Sequence, residues 1–96
     1  MTQKDYMTIE AARLSETNLE KAIEMRFQQK INLAQIINKE RARTGLSMRE
    51  VGELLLTYNI APSTIFAASN PSRKVHAAIN TMINILEILA RQPSKS

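Results

Sequence analysis

The chain is 96 residues long, 44% hydrophobic and 23% charged, with a formal net charge of +4 and no cysteine. That length makes one domain, and the balance of apolar to charged residues is that of a folded chain, not a disordered one. The lack of cysteine excludes a disulfide framework, a thiol nucleophile and a Cys-based zinc site.

Glycine occurs twice, proline three times, and tyrosine and phenylalanine twice each, with no tryptophan. Little is left for the turns and aromatic strands of a sheet, so the expectation is all-α: one helical domain over 1–96, a small bundle of about five helices. The opening MTQKDYMTIEAARLSE lacks the basic and continuous apolar stretches of a signal peptide, and no run approaches about 20 apolar residues. A cytoplasmic protein without a membrane partner is expected. Charge is uneven: acidic residues dominate 1–20, and cations dominate 21–50 and 71–96. Such a balance suits a polyanion partner.

In chain order, residues 1–7 read as a frayed lead-in, followed by a first helix over Thr8–Ser15 anchored by Ile9, Ala12 and Leu14. Thr17 and Glu20 have capping-box spacing and open a second helix that runs to about Arg43. Leu19, Ile23, Phe27, Ile31, Ala34 and Ile37 form its apolar stripe. Its last turn carries Lys39, Arg41 and Arg43, and Gly45 stands where a left-handed cap belongs.

Ser47 and Glu50 form a second capping box and open a third helix, with Val51, Leu54, Leu55 and Tyr58 as its buried positions. Asn59 tolerates left-handed geometry, and Pro62 presets the first turn of a short fourth helix ending near Ser69. Asn70-Pro71-Ser72 breaks the chain, and a fifth helix is expected from Arg73 to Arg91, with Pro93 ending it and 92–96 frayed. Only His76, Asn80, Asn84 and Glu87 give that helix a polar line. A chain this short is expected to hide the rest by dimerising, so segment 74–91 is read as a core and homodimer helix whose seam is Ile79, Met82, Ile83, Leu86 and Leu89.

Catalysis has little to work with. There is one histidine, no inward carboxylate pair, no glycine-rich phosphate loop and no metal-ligand spacing. No enzyme activity, cofactor or metal is expected, and His76 is read as a solvated side chain.

The run Gly45-Leu-Ser-Met-Arg-Glu-Val-Gly-Glu-Leu-Leu, followed by Asn59-Ile-Ala-Pro-Ser-Thr-Ile-Phe, resembles the helix-turn-helix of repressor-like DNA-binding proteins. The resemblance spans about 45–70 and implies a unit over 45–74. In it Gly52 is the small residue at the helix crossing, Ile65 anchors the recognition helix, and Ser63, Thr64 and Ser69 face the bases. Leu56–Asn59 makes the connection about three residues longer than the family pattern. The stretch 60–70 holds no Arg, Lys or Gln, the usual readers of guanine and adenine edges.

Phosphate contacts are therefore assigned to the flanking cations Arg41, Arg43, Arg49, Arg73 and Lys74. The function expected is a small DNA-binding transcriptional regulator with duplex DNA as partner. The competing reading is a non-catalytic protein-interaction module, favoured by the apolar last helix and the five methionines.

Overall fold

The computed structural model of the protein describes residues 1–16 and 23–95. It is all-helical, with α1 (Gln3–Glu16), α2 (Ile23–Thr44), α3 (Met48–Leu56), α4 (Thr64–Ser69) and α5 (Ile79–Ala90), and no strand among the described residues. The capping box expected at Thr17 lies outside them.

α2 is the hub of the bundle. It packs on α1, α4 and α5, while α1 also touches α5 and α3 reaches the others mainly through α4. Because α2 has neighbours on several sides, Leu33 and Ile36 are buried beside the expected Ala34 and Ile37. A single stripe understates that face; Phe27 and Ile31, nearer the helix start, are only half-buried.

α5 is the most apolar element, and Ile79, Met82, Ile83, Ile85, Leu86, Ile88 and Leu89 are all buried. The five residues assigned to a dimer seam are at most 2% exposed within one chain. The reason for expecting a seam there disappears, since α1 and α2 already cover the helix. Ile79, Met82, Ile83, Leu86 and Leu89 are core residues.

At the start of α3 and the end of α2, expectation and structure agree. The Glu50 N–H donates to Ser47 Oγ at 3.1 Å and the Ser47 N–H to Glu50 Oε1 at 3.0 Å, a complete capping box. The Ser47 backbone N–H, and after it the Ser47 side chain, hold the Glu50 carboxyl below its ordinary value. Gly45, at φ +72°, ends α2 as expected, its N–H reaching Arg41 O and Ala42 O.

Three boundaries differ. α1 begins at Gln3, so 1–7 is not a frayed lead-in. The Asp5 N–H donates to Thr2 Oγ1 at 3.2 Å and the Thr2 N–H to Asp5 Oδ2 at 3.0 Å, the same reciprocal box with aspartate in place of glutamate. Asp5 also accepts Lys39 Nζ from α2. That hydrogen bond is the largest influence holding the Asp5 carboxyl below its ordinary value, against an opposing contribution from burial.

α5 begins at Ile79, six residues after the expected Arg73. The Ser72 N–H donates to Val75 O at 2.8 Å and the Val75 N–H to Ser72 Oγ at 3.0 Å, closing a turn that consumes the groups a helix from Arg73 would use. Residues 92–95 are likewise tied down, with the Lys95 N–H bonded to Arg43 O at 2.8 Å. Among the described residues no helix is long and apolar enough to cross a membrane.

Candidate nucleic-acid interface

α3 and α4 cross closely. A Cβ on Gly52 would stand 3.1 Å from Pro62 Cβ and 3.3 Å from Pro62 O, so a side chain at Gly52 would press on the turn before α4. Ile65 is fully buried beneath α4, and Val51 and Leu55 are buried on α3. Gly52 is thus a small residue at a close approach and Ile65 the inward anchor of α4.

The long connection is a defined cap. Asn59 adopts φ 61°, its N–H reaches Leu56 O at 3.1 Å, and the Ile60 N–H reaches Leu55 O at 3.0 Å, the bond pair of a Schellman motif. Tyr58, expected in the core, is instead exposed, because this cap turns it outward as Ile60 packs on the core.

The eight residues assigned to DNA separate into two groups. Ser63 is exposed and Thr64 half-buried at the start of α4, and Arg49, Arg73 and Lys74 are exposed. Ser69 is 8% exposed, its carbonyl accepting Asn38 Nδ2 at 2.7 Å, so it pins α4 to α2 and projects nowhere. Arg41 turns back to donate to Leu46 O at 3.2 Å.

Arg43 closes the far end of the bundle. Its Nε lies 3.3 Å from both oxygens of buried Glu40, Nη1 donates to Ser94 Oγ at 2.8 Å, and Nη2 donates to Leu89 O and Gln92 O at 3.0 and 2.9 Å. The last two bonds satisfy carbonyls at the C-terminus of α5. Arg41, Arg43 and Ser69 therefore serve the fold, because their polar groups meet backbone carbonyls that burial would otherwise strand.

A different set of basic side chains converges. Arg26 and Lys30, one turn apart on α2, meet Arg73 and His76 from the 71–78 loop around a cavity of about 250 Å³ that Phe27 also lines. The Arg73 guanidinium lies over the Phe27 ring at 5.1 Å from its centroid, a cation–π contact, and Lys30 Nζ lies 2.7 Å from His76 Nδ1.

His76 also lines a second depression of about 490 Å³, bounded by Ser63, Thr64 and Phe66 of the α4 segment and by Val75. The two cavities are neighbours through this one ring.

The chain matches no protein-family model, no curated protein and no solved structure.

Arg26, Lys30, Phe66 and His76 were not among the expected contacts. The four-residue spacing of Arg26 and Lys30 marks a common helix face. Nothing local places 73–76 beside it, since a helix starting at Arg73 would have carried those residues along α5. Arg49 lies apart from both cavities and pairs with Glu53 at 3.3 Å. No group of three or more His, Cys, Asp or Glu among the described residues could hold a metal.

Proposed function

We propose that this protein binds DNA without catalysis, in a regulatory capacity, holding phosphates on the face formed by α4, the 71–78 loop and the first turns of α2. The observation that carries the reading is the junction at His76. It joins the groove containing Ser63 and Thr64 to the cluster containing Lys30 and Arg73. Basic side chains beside a helix start suit a phosphate backbone, whose neutralisation releases counterions and makes affinity steeply salt-dependent.

Labelled duplex DNA of mixed sequence, followed by fluorescence anisotropy at about 50 and 200 mM salt, tests this reading. Affinity is expected to fall by orders of magnitude across that range. Arg73→Ala with Lys74→Ala is expected to lower the log–log salt slope by about 2 with helicity unchanged. Salt-insensitive binding, or binding of neither duplex nor single-stranded DNA at the lower salt, rejects it.

The interaction-module reading keeps one observation of its own, which has moved from α5 to α1. Tyr6, Met7 and Leu14 are 54%, 66% and 69% exposed along one side of α1, an arrangement that suits a partner helix. An apolar fluorescent dye is expected to bind this face and to lose most of its signal with Met7→Asp plus Leu14→Asp. An unchanged signal removes the surface from consideration.

A further inference from the structure

We infer that the groove beside α4 receives the bases of single-stranded DNA, with Phe66 as the stacking surface and the neighbouring cluster holding the backbone. The inference rests on the DNA-binding reading and specifies the form of DNA that this face prefers.

Phe66 is 60% exposed on α4, and Val75 is 61% exposed across the same groove. Two large apolar side chains standing in water beside cations are poorly suited to the edge of a closed duplex. There the flat faces of the bases are stacked on each other, and recognition proceeds through hydrogen bonds to base edges. α4 has only six residues, Thr64–Ser69, with no charged or amide side chain among them, and its Ser69 is turned inward. It offers very little for reading edges.

A single strand presents what this groove can use. Every unstacked base has a π-face, and an aromatic side chain next to a basic track is the usual means of binding such strands with little sequence preference. The depression is open to solvent and, at about 490 Å³, has room for a base laid against its wall. Ser63 and Thr64 supply hydroxyls at its rim, and Arg73, Lys30 and His76 lie on the side where the sugar–phosphate chain would leave it. The basic side chains that line the adjoining cavity, Arg26, Lys30 and Arg73, are the chemistry that fits a sugar–phosphate chain.

The chain contains no tryptophan, so Phe66→Trp installs a single emission reporter in the groove. Phe66 is mostly exposed, and circular dichroism checks that this variant and Phe66→Ala retain native helicity. The probes are a 15-nucleotide oligothymidylate and a 15-base-pair duplex of mixed sequence, at about 50 mM salt. The oligothymidylate is expected to bind more tightly than the duplex and to quench the emission of the introduced indole on saturation. Phe66→Ala is expected to weaken the oligothymidylate by about tenfold or more while changing duplex affinity little.

Salt-sensitive duplex binding without preference for the single strand, or unchanged emission at saturation, overturns the inference and leaves the phosphate-binding reading standing. Failure of both probes to bind rejects both. Emission that shifts with protein concentration alone, without DNA, identifies a second copy as the occupant and also overturns the inference.

Discussion

Arg43→Ala is expected to lower the stability of the fold by about 3 kcal/mol, the scale observed when one partner of a buried ion pair is removed. For a domain of this size that corresponds to a fall in Tm on the order of 15 °C. The cost has two origins. The Glu40 side chain is only 3% exposed, and without the guanidinium its carboxylate retains, among the described residues, the Met1 amino group at 3.8 Å. The carbonyls of Leu89 and Gln92 and the hydroxyl of Ser94 lose the donor that fastens the end of α5 to the end of α2. Thermal unfolding followed by circular dichroism measures the loss. Adding Glu40→Gln to the variant is expected to recover part of it, because no charge is then stranded. The same protein separates structure from binding: if Arg43 instead contacted phosphate, the variant would keep its Tm and lose salt-dependent DNA affinity.

The fate of Arg43 shows which parts of this molecule its sequence discloses. Local devices were legible: the Ser47 and Glu50 box and the left-handed residues Gly45 and Asn59 follow from interactions within a few residues or from backbone geometry, whereas Gly52 at a close crossing was implied only by the helix-turn-helix resemblance. The Thr2 and Asp5 box was equally local, and recognising aspartate as the second member of such a box would have moved the start of α1 to its place.

What depended on distant partners was not legible. Arg41 and Arg43 at the end of a helix look the same whether they face water, a phosphate or the carbonyls of another helix. For Arg43 the choice is made by residues 89–94, some 46 to 51 positions away in sequence, whereas Arg41 turns to the Leu46 carbonyl just beyond its own helix. Arg73 and His76 reach Lys30 and Phe27 only because the Ser72–Val75 turn replaces a helical start, and a short turn that closes on its own serine competes closely with the first turn of a helix. The apolar character of α5 was legible, but its packing on α2 and α1 within one chain was not. A helix hydrophobic around most of its circumference signals deep burial, and only the packing of α1 and α2 shows that one chain suffices.

That distinction gives the second large effect. Leu86 is fully buried, and truncating such a residue to alanine typically costs about 2–5 kcal/mol through lost transfer energy and the cavity left behind. Aspartate at the same position adds an unpaired carboxylate among Met82, Ile83 and Leu89, at a cost that approaches or exceeds the roughly 5–15 kcal/mol available to an entire domain. Leu86→Asp is therefore expected to abolish cooperative unfolding and most of the helical signal. Leu56→Asp, at a position 59% exposed on α3, is expected to fold normally under the same conditions. The two hypotheses for α5 predict opposite results in one experiment, circular dichroism combined with sedimentation. A seam between copies would yield a folded monomer on Leu86→Asp, since the carboxylate would meet water once the copies part. A core residue has no such escape, because separating α5 from α1 and α2 removes the centre of the fold itself.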